Sequence, residues 1–198
     1  MVDVDGVIVR PDGKREDRRR WDHDLKRDLG IDPADLQVAF FKPHWPDVVN
    51  GRADLFDRLR PALASIAPDV SAEALADYWF KWDSALDHAL LADLAALRAS
   101  GAPMHLATVQ EHHRARYLWE TLGFQDRFDA IHYSAAYGVG KPDPAFFEAV
   151  TAKLGCAPET LLLIDDSTAN IEGARSAGWR AGLWTNDQKL ADCIAAAR

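Results

Sequence analysis

Cysteines and long apolar runs are both scarce in this sequence. The two cysteines, Cys156 and Cys193, form no closely spaced pair and have no histidine at zinc-ligand spacing. We therefore expect two reduced thiols, not a disulfide framework or a zinc site. No apolar run approaches the roughly 20 residues that a membrane span requires. The first residues are acidic and unlike a secretion signal, so the default expectation is a cytoplasmic protein that does not bind membranes.

Positive charge is also in short supply, because 23 lysines and arginines stand against 31 aspartates and glutamates, for a formal net charge of −8. A negative field of this kind disfavours nonspecific binding to nucleic acid. Basic residues cluster at positions 14–20, but acidic residues interrupt them, which is typical of a solvated helix face. With 48% hydrophobic residues in 198 positions, the composition is that of one globular domain, with or without a modest insertion.

Short apolar segments alternate with helical patterns along much of the chain. The apolar segments lie at residues 2–9, 104–107, 130–132, 161–164 and 181–184. The helical patterns between and after the later segments lie at 111–122, 143–154, 170–177 and 188–197. Glycine closes the first three of these helices. Strands alternating with helices predict an α/β fold, in which a parallel, Rossmann-like sheet is sandwiched by helices.

The alternation stops between the first and second apolar segments. The intervening helical patterns lie at 16–29, 33–39, 55–66 and 72–86. Turn signals separate them, and one is the proline-rich stretch 43–46, which we interpret as a loop. A crossover between neighbouring parallel strands needs only a dozen or so residues. Residues 12–82 therefore predict an inserted helical cap subdomain, with residues 1–11 and 83–198 forming the core.

Acidic and hydroxyl side chains follow three of the predicted strands. Asp3 and Asp5 come with the first strand, Thr108 ends the second, and Asp165 and Asp166 end the fourth. The carboxyl ends of parallel strands meet at one edge of the sheet, where α/β folds bind ligands. Two acids spaced two apart on a strand should also point to the same face. Burying such carboxylates together is costly unless a cation satisfies them, and their hard oxygens suit Mg²⁺.

Lys141 lies in a constrained loop, with a glycine before it and two prolines close behind it. A lysine held in this way is a fixed positive charge that suits a phosphate or a carboxylate. The hydroxyl of Thr108 and nearby backbone amides could hold a phosphate oxygen. Each feature alone also has an ordinary explanation as a strand end, a helix cap or a surface turn. Together, they favour a site for a divalent cation and a phosphate group.

The order Asp-x-Asp, Thr, Lys, Asp-Asp resembles that of the haloacid dehalogenase-like (HAD) hydrolase superfamily, and the resemblance covers the whole chain. The sequence segments that match the family are Ala107-Thr108, Gly140-Lys141-Pro142-Asp143-Pro144 and Asp165-Asp166-Ser167. The helical insertion looks like the cap of the subgroup that places it just after the first strand. The resemblance implies a Mg²⁺-dependent phosphatase that hydrolyses a small phosphate monoester or acyl phosphate through an aspartyl-phosphate intermediate.

The resemblance also implies a role for each matching residue. Asp3 would be the nucleophile and Asp5 the acid/base, while Thr108 and Lys141 would hold the transferring phosphoryl group. The residues expected around the metal are Asp3, Asp5 through its backbone carbonyl, Asp166 directly, and Asp165 through water. Only Met1 and Val2 precede Asp3, so the first strand is expected to be short.

Residues that would contact the substrate are less clearly marked. Near the core motifs, Val109 stands where many relatives have asparagine, and Asn170 is expected to support the metal site from outside. In the cap, Lys42 or Arg52 would contact an anionic group, and Trp45 is a candidate for facing the site. Aromatic residues at this density more often form the cap core than contact ligands. The expected partner is a small phosphorylated metabolite, and neither its identity nor the oligomeric state follows from the sequence.

Other functions share parts of this pattern. A phosphomutase acting on a sugar phosphate has the same motifs and differs in its net reaction. A 2-haloacid dehalogenase-like hydrolase lacks the second acid of the first motif, which is Asp5 here. A phosphorylatable receiver module also surrounds an aspartyl-phosphate with acids, threonine and lysine, but in a different order and without the inserted helices. A catalytically silent binding protein would not require every catalytic position to be filled.

Overall fold

The computed structural model describes residues 1–10, 20–185 and 188–197. Its strands are β1 (His105–Thr108), β2 (Ala130–Tyr133), β3 (Leu162–Asp165) and β4 (Arg180–Leu183). β1 pairs with β2 and β3 with β4, and both pairs are parallel. Val2 joins the two pairs through parallel bridges to Leu106 in β1 and to Ile164 in β3. The predicted parallel, Rossmann-like α/β architecture is therefore confirmed.

The N-terminal segment lies at the centre of the sheet but forms hardly any strand. The amide of Val2 donates to the His105 carbonyl at 2.9 Å, and the amide of Asp3 donates to the Ile164 carbonyl at 2.9 Å. The chain then turns, and the amides of residues 7–9 all donate back to the Val4 carbonyl. The expected short first strand is confirmed. The extension of that strand to residues 7–9 is wrong, because a tight turn takes up the backbone hydrogen bonds there.

Helices cover both faces of the sheet. The helices of the core are His88–Ala99, His112–Arg116 continuing as Tyr117–Thr121, Ser134–Tyr137, Pro144–Leu154, Thr168–Ser176 and Leu190–Ala196. One hydrophobic cluster packs Leu91 and Leu118 against the sheet residue Leu106, and another packs Phe147 against Leu163. The helix Pro144–Leu154 has the predicted bounds, since the Asp143 side chain accepts from the Ala145 amide and Gly155 ends it in a left-handed conformation.

The segment between Val9 and His88 contributes its own helices and its own hydrophobic core. Its described helices are Leu25–Leu29, Pro33–Leu36, Gln37–Phe41, Lys42–Val48, Leu55–Ile66 and Ala72–Trp82. Phe40, Leu59 and Phe80 belong to a buried cluster separate from those on the sheet. The start of the predicted helix 16–29 and most of the basic cluster lie outside the described residues. Within the described ranges, no helix has the length and apolar character to cross a bilayer.

The proline-rich stretch 43–46 is helical, so its interpretation as a loop was wrong. It lies in the helix Lys42–Val48, with Pro43 in the first turn and Pro46 inside. The preceding residues Gln37–Phe41 form a wide turn in which the Lys42 amide donates to the Gln37 carbonyl. This turn changes the hydrogen-bonding register just before the prolines. The helix then continues through two residues that lack an N–H group.

The two connections between the cap and the core run side by side. The Arg10 amide donates to the Ala85 carbonyl at 2.9 Å, and the Asp87 amide donates to the Ile8 carbonyl at 2.8 Å. The guanidinium of Arg10 also lies 2.7 Å from the Asp87 carboxylate. These contacts and the separate hydrophobic cluster support our proposal that residues 12–82 form a cap on a core of residues 1–11 and 83–198.

Candidate active site

Three carboxylates meet where the central N-terminal segment and β3 end. Asp3, Asp165 and Asp166 each offer an oxygen atom, and these oxygens lie within 4.8 Å of one another. Asp3 comes directly after the Val2 bridge, and Asp165 ends the neighbouring strand β3. Asp3 and Asp165 are buried, whereas Asp166 is exposed. The neighbouring strand ends therefore bring together acids that are about 160 positions apart in the sequence.

Lys141 lies among these acids. Its ammonium nitrogen is 3.0 Å from Asp3 Oδ1 and also donates to Asp165 Oδ2. The Lys141 side chain has no exposed surface. Burial alone lowers the pKa of Lys141, but the attraction of Asp3 and Asp165 outweighs it and leaves that pKa above its usual value. The lysine is therefore a permanent positive charge against two carboxylates.

Asp165 is held from several sides within the protein. The side-chain amide of Asn170 donates to both of its oxygens, at 2.9 and 3.1 Å, and the Ser167 amide donates to Oδ1 at 2.9 Å. With Lys141 on the same carboxylate, Asp165 has little capacity left for other partners. Asn170 thus contacts the group of acids through Asp165. Asp166 is the exposed member of the Asp165–Asp166 pair.

Gly6 allows Asp166 to approach the turn that follows Asp3. Gly6 has a φ of +84°, which side chains other than glycine rarely adopt. A Cβ atom at this position would lie 2.1 Å from Asp166 Oδ2. Any side chain at position 6 would therefore displace this carboxylate from the other two.

The described residues do not balance the charge at this site. Burial raises the pKa of Asp3 to about 8; the Lys141 charge opposes the rise, and Asp165 and Asp5 add to it. Burial likewise raises the pKa of Asp166. Three convergent carboxylates and one ammonium group leave an excess of negative charge, which a divalent cation would neutralise. The donor set consists of hard oxygens, so these residues fit Mg²⁺.

The side chain of Asp5 takes a different direction from the other acids. Its Oδ2 accepts a hydrogen bond from the side-chain amide of Gln110, and Asp5 does not belong to the three-carboxylate group. Asp5 retains exposed surface, but burial of its carboxyl group by the surrounding protein raises its pKa to about 6. The positive charge of Arg114 opposes this rise. The expectation that Asp3 and Asp5 share one strand face was wrong, because both lie in or next to a turn.

Thr108 ends β1 next to the N-terminal segment and is 1% exposed. Its hydroxyl group is buried and has no hydrogen-bond partner among the described residues. Buried polar atoms of folded proteins nearly always have a partner, so an unpaired hydroxyl at the ligand-binding edge of a sheet suits contact with a bound molecule. Val109, which follows, is half-buried.

The described contacts of the cap candidates Lys42, Trp45 and Arg52 do not include the acids of the core. Lys42 is exposed, and the guanidinium of Arg52 pairs with Asp47 on the cap surface at 3.6 Å. The ring of Trp45 packs against Phe41 and Trp79, with centroid distances of 5.7 and 5.4 Å. Among the described residues, neither Lys42 nor Arg52 forms an ion pair with the acids of the core. Trp45 packs against the hydrophobic core of the cap, which is the alternative role expected for aromatic residues at this density.

Buried polar residues next to the site were not predicted from the sequence. They are Gln110, Glu111, Arg114 and Ser134. Ser134 directly follows β2, so the strand-end rule that selected Thr108 would have found it too. Arg114 is in a charged run that looks solvated, yet it is 2% exposed and donates to the Phe80 carbonyl at 3.0 Å and to the Asp83 carbonyl. No local pattern marks such a residue as buried.

Comparison with known protein families agrees with this geometry. A family model described as haloacid dehalogenase-like hydrolase matches residues 1–178. The phosphoglycolate phosphatase of Rhodospirillum rubrum is 32% identical over 134 residues, which cover 65% of this chain and 52% of that protein. The phosphoserine phosphatase of Thermus thermophilus is 32% identical over 94 residues, which cover 47% and 37%. The chain thus spans about half or less of the length of these curated relatives.

Solved structures share the complete fold. A HAD-family enzyme from Bacteroides thetaiotaomicron superposes with a TM-score of 0.79 at 18% identity, covering 98% of this chain and 96% of that chain. A HAD-like hydrolase from Porphyromonas gingivalis superposes with a TM-score of 0.72 at 20% identity, covering 98% and 94%. At these identities the likeness shows a shared fold.

Proposed function

The chain belongs to the haloacid dehalogenase-like hydrolase family, and on that premise we propose that it is a Mg²⁺-dependent phosphatase. Its substrate would be a small phosphate monoester or acyl phosphate, cleaved through an aspartyl-phosphate intermediate. The observation that carries the proposal is the convergence of Asp3, Asp165 and Asp166 within 4.8 Å around the buried ammonium group of Lys141. The phosphatase names of the curated relatives support the reaction class.

The metal would be held by Asp3 and Asp166, with the backbone carbonyl of Asp5 and, through water, Asp165. When bound, Mg²⁺ supplies positive charge that lets an anionic nucleophile approach an anionic phosphate. The raised pKa of Asp3 supports a role for such a cation. A nucleophilic carboxylate must be ionised, and burial opposes ionisation unless a positive charge lies nearby. The enzyme from Bacteroides thetaiotaomicron has been solved with magnesium and inorganic phosphate, in line with the proposed ligands.

The first chemical step would form the covalent intermediate. A carboxylate oxygen of Asp3 attacks phosphorus, the bond from phosphorus to the leaving oxygen breaks, and Asp5 gives its proton to that oxygen. Thr108 and Lys141 hold the oxygens of the transferring group. A pKa of about 6 leaves part of Asp5 protonated near neutral pH, as a general acid requires.

The second step would regenerate the enzyme. Asp5, now ionised, takes a proton from a water molecule, whose oxygen attacks phosphorus of the aspartyl-phosphate. The bond to Asp3 breaks, and inorganic phosphate leaves. A phosphomutase would return the phosphoryl group to a second hydroxyl of the same sugar, and product analysis separates the two reactions. The presence of Asp5 argues against a haloacid dehalogenase.

We test this function with Asp3→Asn, which removes the nucleophilic oxygen and retains the shape of the side chain. Hydrolysis of p-nitrophenyl phosphate should fall by at least about a thousandfold. Circular dichroism should show an intact fold, because asparagine fills the same space and Lys141 keeps its ion pair with Asp165. EDTA should also abolish wild-type turnover, and added Mg²⁺ should restore it.

Asp69→Asn is the matched control, because it makes the same change at an exposed position of the cap and should retain wild-type activity. Full turnover by Asp3→Asn, or wild-type turnover unaffected by EDTA, would refute the proposed function.

A further inference from the structure

Two buried polar side chains beside the site have no role in the chemistry described so far. Gln110 is two residues beyond the end of β1, and Ser134 directly follows β2. They are 4% and 0% exposed, respectively. Polar groups buried this deeply need specific partners, so the contacts they make indicate what they do.

Gln110 contacts the acid/base candidate directly. Its Nε2 donates a hydrogen bond to Oδ2 of Asp5. In a neutral carboxyl group the carbonyl oxygen is the stronger acceptor, so this bond favours the proton on the other oxygen. The contact therefore leaves Oδ1 of Asp5 to hold the transferable proton, and it limits rotation of the carboxyl group.

Ser134 in turn holds the backbone of Gln110. The Gln110 amide donates to Ser134 Oγ at 3.0 Å, and the Ala135 amide donates to the Gln110 carbonyl at 3.2 Å. These bonds join the loop after β1 to the start of the helix after β2. The position of the Gln110 side chain therefore depends on Ser134.

The same hydroxyl group also binds the cap. Ser134 Oγ donates to the Val49 carbonyl at 2.6 Å, a shorter distance than the 3.0 Å to the Gln110 carbonyl. Val49 ends the cap helix Lys42–Val48. Two residues later, a Cβ on Gly51 would lie 2.4 Å from the Ala135 carbonyl oxygen, so the cap turn and the core meet backbone to backbone.

We propose that Gln110 is a positioning residue for Asp5, and that Ser134 ties this positioning to the cap turn at residues 49–51. This inference rests on the proposed role of Asp5 as the acid/base. The Gln110 amide holds Asp5 so that the proton on Oδ1 passes to the leaving oxygen as the phosphorus–oxygen bond breaks. The bond from Ser134 to Val49 makes that alignment depend on a docked cap.

Leaving groups of different basicity test the role of Gln110. A poor leaving group such as the alkoxide of benzyl phosphate needs the proton, whereas p-nitrophenolate leaves without much help. Gln110→Met keeps the length of the side chain and removes the donor. We expect kcat/KM for benzyl phosphate to fall by about a hundredfold, the scale of general acid catalysis, and kcat/KM for p-nitrophenyl phosphate to change by less than about threefold.

Gln37→Met makes the same change at an exposed position of the cap and should leave both substrates unaffected. Gln110→Leu provides a second variant that also removes the donor without adding a charge, and we expect the same selective loss. It keeps the inference testable if Gln110→Met does not fold.

The outcomes separate this inference from the proposed function. The inference would be refuted if the wild type is active and the Gln110 variants lose activity on both substrates equally, or on neither. A wild type inactive on both substrates, with Mg²⁺ present, would instead refute the phosphatase proposal.

A double-mutant cycle tests the link from Ser134 to Gln110. Ser134→Ala should lower kcat/KM for benzyl phosphate selectively, because Gln110 loses its anchor. Adding Ser134→Ala to Gln110→Met should cause little further loss, since both act through Asp5. If the losses of kcat/KM in the two single variants instead multiply in the double variant, the link would be overturned. Ser100→Ala, which removes an exposed hydroxyl that also donates to a backbone carbonyl, is the control and should have wild-type kinetics.

Discussion

Buried ionisable side chains determine much of the behaviour of this protein at the scale of single residues. Lys141 and Asp165 have no exposed side-chain surface, and Asp3 has little. Removing one partner from such a group leaves the others buried without compensation, which typically costs about 3–5 kcal/mol. Lys141 therefore contributes to stability as well as to the proposed chemistry, and activity loss in a Lys141 variant has to be interpreted beside its unfolding temperature.

His132 is a buried ionisable residue away from the acids. It is 4% exposed, with its ring nitrogens 3.3 Å from His105 Nδ1 and 2.7 Å from the Tyr137 hydroxyl. Burial lowers the pKa of His132 to about 4, and the His105 charge adds to this effect. The pKa of a histidine in the unfolded chain is about 6.5. Between about pH 4 and 6.5, this histidine therefore binds a proton in the unfolded chain but not in the folded protein.

We predict that this histidine makes the protein less stable in mild acid. Its contribution is fully present above pH 6.5 and is lost as the pH falls towards 4, by about 3 kcal/mol in total. Urea unfolding from pH 7.5 to 4.5 should show a shallower loss in His132→Gln than in the wild type. His88→Gln, at an exposed position, should follow the wild-type curve. Parallel curves for wild type and His132→Gln would contradict the prediction.

At the scale of helices and strands, side-chain caps define where several helices begin. Asp54 accepts from the amides of Phe56 and Asp57, and Asp87 accepts from those of Ala89 and Leu90. The helix that Asp87 caps, His88–Ala99, was not predicted, because its alanine-rich sequence has a weak polar–apolar period. Its cap was nevertheless present in the sequence as an aspartate at the right place.

Ser71 offers a test of one such cap. Its hydroxyl accepts from the Ala74 amide at 3.0 Å and begins the helix Ala72–Trp82. Ser71→Ala should cost about 1 kcal/mol and lower the midpoint of thermal unfolding by about 2–4 °C. Ser71→Asn retains a capping acceptor and should stay close to the wild type. Equal midpoints for the alanine and asparagine variants would show that the cap does not stabilise this helix.

At the scale of the whole molecule, one contact between the cap and the core brings their backbones together, at Gly51. Gly51 and Gly30 have nearly the same backbone conformation, with φ values of +70° and +71°. A Cβ on Gly51 would lie 2.4 Å from the Ala135 carbonyl oxygen, whereas a Cβ on Gly30 would have nothing within 4 Å. Alanine variants at the two positions therefore distinguish the effect of backbone strain, which both share, from displacement of the cap, which only Gly51 would cause.

We predict that Gly51→Ala lowers the midpoint of thermal unfolding more than Gly30→Ala does. Both variants incur the strain of a left-handed alanine, about 1–2 kcal/mol, but only Gly51→Ala forces the cap turn away from the core. Hydrolysis of benzyl phosphate should fall about tenfold or more in Gly51→Ala, the tenfold limit corresponding to about 1.4 kcal/mol of activation free energy, and should be unchanged in Gly30→Ala. The same midpoint and the same activity in both variants would show that this contact is dispensable.

The sequence by itself determined the features that short stretches of chain encode. Apolar segments followed by acids placed Asp3, Asp165 and Asp166 at one edge of a parallel sheet, and the structure brings their oxygens within 4.8 Å. Helix Leu55–Ile66 has the predicted bounds because its period and its Asp54 cap are local signals. Such features depend on residues within about one turn or one strand of each other.

Only the tertiary structure decided which distant residues meet. The turn after Asp3 sends Asp5 to Gln110, 105 positions away in the sequence, and Ser134 reaches Val49 across 85 positions. Arg114 is buried because the carbonyls of residues 80 and 83, at the junction of cap and core, converge on its guanidinium. These contacts are set by how the cap packs on the core, and no periodicity or motif within one segment records that packing.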